Sequence, residues 1–185
     1  MSWSWIPNAI TLTRVLASLP LFWLLMEARY VPAFWLALVA GLSDAIDGII
    51  AKRYGWQSVL GGVLDPIADK LLLTSSFLGL WWSLELPTWL VALVIGRDVV
   101  ILCGAFAWWR LIGAFRPEPS ILSKATTLSQ LILLAMVLAR LANHPIAEGW
   151  IPPVALATGA LTLMSGVDYV VRYGMRAWRQ LGKGE

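Results

Sequence analysis

The chain has 185 residues, a formal net charge of +3 and a composition that is 59% hydrophobic, with twelve tryptophans and a mean hydropathy of +0.73. Those values belong to the membrane class and exclude a soluble globular domain. The lone Cys103 excludes an internal disulfide and a cysteine metal site, the lone His144 in a polar loop argues against histidine catalysis, and basic residues flanking apolar runs point to lipid headgroups rather than nucleic acid.

A membrane span needs ~20 apolar residues, so six spans would use about two thirds of the chain. The expectation is an all-α integral membrane protein with six transmembrane helices in one domain, residues 1–185. Residues 1–7 (MSWSWIP) carry no basic n-region, and no small-residue cleavage site follows the first apolar run, so the start is read as retained. Trp3 and Trp5 suit the headgroup level.

The first span is predicted over about residues 8–26. Asn8, Thr11 and Arg14 follow helical spacing and form a polar stripe; the bland alternative is a helix start with a snorkelling arginine. The second span covers about residues 32–51 and the third about residues 59–84. Four aspartates fall where these two approach each other in sequence: Asp44 and Asp47 at i, i+3, then Asp65 and Asp69 at i, i+4. Each pair shares a helix face. Charges inside apolar segments are costly and by default mark a site with a partner. For clustered carboxylates that partner is a divalent cation, since hard oxygen donors suit Mg²⁺, Mn²⁺ or Ca²⁺. Gly48, Ala51, Gly61 and Gly62 are small and let a bulky ligand approach the backbone. Simple pairing of the acids with Lys52, Arg53 or Lys70 is the structural alternative.

The fourth span, about residues 89–109, holds Arg97 and Asp98 mid-span, either as an internal ion pair or facing a polar cavity. Trp81, Trp82 and Trp89 form an aromatic belt before it. Residues 110–124 form the longest loop, with Arg110, Arg116 and Lys124. The fifth span, about residues 121–141, opens with Ser123, Thr126, Thr127 and Gln130, for which helix packing is the default reading. The sixth covers about residues 150–173, and the tail RYGMRAWRQLGKGE is basic.

Alternate loops hold Lys52, Arg53, Arg110, Arg116, Lys124, Arg172, Arg176, Arg179 and Lys183, whereas the opposite ones hold Arg29 and Arg140. The positive-inside rule then places both termini, and the aspartate-bearing helix ends, on the cytoplasmic side.

The stretch from Asp44 to Asp69 resembles the signature D-x2-D-G-x2-A-R-x8-G-x3-D-x3-D of the CDP-alcohol phosphotransferases. Seven of its eight defined positions match: Asp44, Asp47, Gly48, Ala51, Gly61, Asp65 and Asp69. Lys52 stands where the family has arginine, which keeps the charge but loses the planar fork, and Arg53 follows it. The resemblance implies metal-dependent transfer of a phosphatidyl group from CDP-diacylglycerol to an alcohol, with release of CMP. It implies Mg²⁺ or Mn²⁺ held by Asp44, Asp47 and Asp65, with Asp69 as general base and a possible fourth ligand. Gly48, Ala51, Lys52, Arg53, Gly61, Asn8, Thr11 and Arg14 fall on the substrate side, and Arg97, Arg110, Arg116 and Lys124 are candidates for binding phosphate or an anionic acceptor. The loop arginines and lysine serve equally well as topology determinants.

PNxxTxxR and LDPIADK look like phosphatidylglycerophosphate synthases, while GRDV and SKATTLSQ look more like cardiolipin synthases of the same fold. Glycerol 3-phosphate ranks first as acceptor and phosphatidylglycerol second. The resemblance also implies a homodimer with one site per subunit; the expected location is a bacterial inner membrane, with membrane lipids as partners and, from the charge bias, the active site facing the cytoplasm. A small cation transporter is the non-enzyme rival; it predicts acids near mid-membrane and an inverted repeat.

Overall fold

A computed structural model describes the backbone of residues 5–54, 59–113 and 120–181, and side chains within 12–43, 67–113, 120–147 and 149–180. Among the described residues the regular structure is entirely helical: α1 (Trp5–Met26), α2 (Tyr30–Tyr54), α3 (Val59–Trp82), α4 (Thr88–Leu111), α5 (Ile121–Leu141), a short 3-10 turn (Glu148–Trp150) and α6 (Ile151–Leu181). The expected spans lie within or against these helices. The clearest difference is α6, which continues to Leu181 rather than ending near residue 173. Hydropathy falls at Arg172, but Arg, Met, Ala and Gln are good helix formers, so the helix outlasts the apolar run. Among the described residues, three helices are long and apolar enough to cross a membrane: Thr88–Leu111, Ile121–Leu141 and Ile151–Gln180. Leu12–Met26 and Tyr30–Ser43 are shorter apolar helices.

The chain divides into two compact units, residues 1–87 with 134–146, and residues 88–133 with 147–185. In the first, α1 packs against both α2 and α3. Leu21 and Leu25 of α1 and Phe77 and Leu80 of α3 are fully buried. Gly79 permits the approach of α1 to α3, because a Cβ there would lie 2.7 Å from Cβ of Leu25.

Helices α1, α3 and α5 end in the same way. Ala28, Leu84 and Asn143 take positive φ values of 54°, 62° and 64°. In each case the next residue's N–H reaches back five residues, as in Arg29 to Leu24, Glu85 to Leu80 and His144 to Ala139. Such caps satisfy carbonyls that a helix end leaves open, and glycine is their usual residue. Glu85 then accepts hydrogen bonds from Tyr30 Oη at 3.2 Å and from Arg140 at 3.1 Å, tying three inter-helix turns of this unit together.

In the second unit, α4 packs against α6. Gly159 lies against Trp89 and Gly104 against Tyr169, too close for any added side chain without movement. Polar bonds join α5 to α6: Thr126 Oγ1 donates to the Leu161 carbonyl at 3.0 Å and Gln130 Nε2 to Thr162 Oγ1 at 3.2 Å. Inside an apolar bundle these satisfy groups that lipid cannot.

Candidate active site

Helix α2 carries Asp44, Asp47, Gly48, Ala51, Lys52 and Arg53 in its last turns, and α3 carries Gly61, Asp65 and Asp69 in its first turns. Because the backbone is helical over both stretches, the i, i+3 and i, i+4 relations deduced from spacing hold. The side chains of Asp44, Asp47, Gly48, Ala51, Lys52, Arg53, Gly61 and Asp65 lie outside the described residues, as do those of Asn8 and Thr11 on α1. Arg116 lies outside them altogether.

The described part of this cluster is an ion pair between Arg14 of α1 and Asp69 of α3. Arg14 is 4% exposed, whereas the Asp69 side chain is 51% exposed. The guanidinium is thus sealed under the helices and the carboxylate stands open. Arg14 is therefore not snorkelling. The buried guanidinium donates to the Asp69 carboxylate and so fixes its orientation. A carboxylate with half its surface accessible has room for a hard cation or an incoming hydroxyl.

The second unit holds Arg97. It is 8% exposed and donates from Nη1 to Asp98 at 2.8 Å, and from Nη2 to Ser123 Oγ at 2.6 Å and Ser165 Oγ at 3.1 Å. Three helices thus converge on one guanidinium. Its Nε has no hydrogen-bond partner among the described residues. Gly166 makes room for the arginine stem, since a Cβ there would meet Arg97 Cγ at 3.6 Å. Beside it runs a groove of about 330 Å³ between α4 and α6, lined by Leu93, Gly96, Arg97, Val100, Gly166 and Val170 among others. Arg110, at the end of α4, and Lys124, in the first turn of α5, are exposed.

Sequence reasoning placed Ser123 on a packing face and did not single out Ser165. The signal was present: Thr158, Thr162 and Ser165 recur at i, i+4, i+7 on α6, and Ser123, Thr126 and Gln130 form the matching stripe on α5.

A family model described as CDP-alcohol phosphatidyltransferase matches residues 4–162. Among curated relatives, the chain is 32% identical to a cardiolipin synthase (CMP-forming) of Streptomyces coelicolor, covering 90% of this chain and 81% of that protein. It is 28% identical to the chloroplastic CDP-diacylglycerol--glycerol-3-phosphate 3-phosphatidyltransferase 1 of Oryza sativa, covering 91% and 56%. It is 29% identical to the CDP-diacylglycerol--glycerol-3-phosphate 3-phosphatidyltransferase of Aquifex aeolicus, covering 90% and 94%. The chain therefore spans most of the two bacterial relatives and about half of the plant protein's length.

Proposed function

This chain belongs to the CDP-alcohol phosphatidyltransferase family, and on that premise we propose that it transfers a phosphatidyl group from CDP-diacylglycerol to a phosphoglycerol acceptor, releasing CMP. The observation that carries the reading is the half-open Asp69, paired to buried Arg14, inside a stretch that matches seven of eight signature positions. Membership in a transferase family also displaces the cation-transporter alternative.

The chemistry follows from these residues. Asp69 takes the proton from the acceptor hydroxyl as that oxygen attacks the phosphatidyl phosphorus. The bond from that phosphorus to the bridging oxygen breaks, and CMP leaves with the electron pair. Asp44, Asp47 and Asp65 would hold Mg²⁺ or Mn²⁺, which when bound supplies positive charge to the diphosphate. Lys52 and Arg53, in the last turn of α2, add charge for the phosphates. No activated Ser–His or Cys–His pair is needed, because attack is direct. The match across both compact units supports one phosphatidyltransferase domain. The same reading puts the site on the cytoplasmic side of a bacterial inner membrane, in a homodimer with one site per subunit.

Glycerol 3-phosphate is the first acceptor, in keeping with the Aquifex and rice relatives. A specific observation favours phosphatidylglycerol as a second reading. The two segments that look like cardiolipin synthases, GRDV and SKATTLSQ, are joined by the Arg97–Ser123 hydrogen bond, so they act as one structural feature.

The test is CMP release by purified protein in mixed micelles with CDP-diacylglycerol and Mg²⁺ or Mn²⁺, with each acceptor in a separate reaction. Release with one acceptor, abolished by chelator and restored by metal, is the expected result and fixes the branch. No CMP with either acceptor would overturn the phosphoglycerol reading, and serine and inositol run alongside would then identify a different alcohol.

A further inference from the structure

Helix α6 is longer than a bilayer requires. Its 31 residues extend about 46 Å at 1.5 Å per residue, against a hydrocarbon core of about 30 Å. The sequence divides it sharply. Residues 151–171 contain no lysine or arginine and a single acid, Asp168; residues 172–181 contain Arg172, Arg176 and Arg179 and no acid. Apolar length and charge therefore agree that the last ten residues leave the hydrocarbon.

Two stripes run along this end. Arg172, Arg176 and Arg179 recur at i, i+4, i+7, and all three are exposed. Val171, Met175 and Trp178 repeat the same spacing one residue earlier, which sets them about 100° round the helix. They are 47%, 52% and 82% exposed. An apolar stripe ending in an open tryptophan, beside a basic stripe, is the pattern of a helix face in contact with the bilayer interface. Two of the arginines are steered by their own helix. Arg172 Nε donates to Asp168 at 2.6 Å, and the Arg176 guanidinium lies 5.6 Å from the centre of the Tyr173 ring. Counting Asp168 as −1 and the three arginines as +3, residues 168–181 carry a net charge of +2.

We propose that residues 171–181 form a docking surface for anionic phospholipid headgroups, with the arginines on lipid phosphates, Val171 at the acyl boundary, and Met175 and Trp178 at the headgroup level. Charge decides the occupant. An anionic leaflet attracts each arginine near its surface, whereas two-fold pairing with a second copy would set the same three arginines against one another. Such a surface enriches anionic lipid around the chain. The inference stands apart from the acceptor reading, because it concerns the lipid around the protein rather than the lipid consumed.

The experiment is amide hydrogen exchange on the full chain in nanodiscs of phosphatidylcholine alone, or of phosphatidylcholine with phosphatidylserine. Exchange in residues 172–181 should be at least about tenfold slower in the anionic discs. Adding about 0.5 M salt should remove most of that difference. The triple variant Arg172→Gln, Arg176→Gln, Arg179→Gln should abolish it while α4 stays protected. Equal exchange of wild-type residues 172–181 in the two discs would overturn the proposal without reference to any variant. So would efficient disulfide cross-linking between copies at Trp178→Cys in a Cys103→Ser background, which would make the face a protein contact.

Discussion

Arg14 of α1 and Asp69 of α3 stand 55 residues apart in sequence and form an ion pair with the cation buried and the carboxylate open. The arrangement orients Asp69 from below while its exposed edge faces outward. Asp69→Asn keeps the size of the side chain and an oxygen for Arg14 to donate to, but removes the proposed base. Turnover should fall by about 10²-fold or more, while binding of CDP-diacylglycerol persists. CMP release and a direct lipid-binding titration separate the two effects, and near-normal turnover would sink the base assignment.

Lys52 stands where the family signature has arginine, in the last turn of α2. Arginine offers a planar fork to phosphate where lysine offers a point charge. If this position meets a phosphate, Lys52→Arg should keep or raise activity, with any gain appearing as a lower KM for CDP-diacylglycerol. Complete loss would mean that Lys52 has a role arginine cannot fill.

Helix α1 can hold Arg14 against Asp69 only because it packs closely on α3, and Gly79 marks that approach. A Cβ at Gly79 would sit 2.7 Å from Leu25 Cβ, an atom too near the backbone to swing aside. Gly79→Ala should therefore destabilise the chain in detergent by about 1–3 kcal/mol through overpacking. The readout is the unfolding midpoint in a thermal or denaturant titration. Gly41→Ala is the control: nothing lies within 4 Å of a Cβ there, and helix propensity favours alanine.

What could be read from sequence divides along physical lines. The positions of the four aspartates on two helices follow from 3.6-residue periodicity and apolar context, and both are local. The Arg14–Asp69 pair does not, because which face of α1 meets α3 is a tertiary fact. The turns after α1, α3 and α5 were legible as breaks in hydropathy. The left-handed caps at Ala28 and Leu84 were not, since alanine and leucine give no such signal, whereas asparagine at 143 is a residue that favours one. Hydropathy ends α6 near residue 173, whereas helix propensity carries it on to Leu181. Ser165 was legible in principle from its i, i+3 and i, i+7 polar neighbours Thr162 and Thr158, but serines in membrane helices are so often packing residues that the stripe carries little weight alone.

Ser123 and Ser165 distinguish a packing role from a recognition role for Arg97. Each accepts a hydrogen bond from the same Nη2, and a bond to a charged group contributes about 1.5–3 kcal/mol. Both Ser123→Ala and Ser165→Ala should lower stability in detergent, because each leaves a buried guanidinium less satisfied. Their kinetic effects should differ. Ser123 begins α5 next to Lys124, whereas Ser165 lies mid-helix on α6. If the linked segments around Arg97 and Ser123 recognise the acceptor, Ser123→Ala should raise KM for the acceptor several-fold while KM for CDP-diacylglycerol stays constant. Ser123→Thr, which keeps the hydroxyl, should restore it. Equal loss of stability in both alanine variants, with acceptor KM unchanged, would make Arg97 a structural hub alone and weaken the case for phosphatidylglycerol.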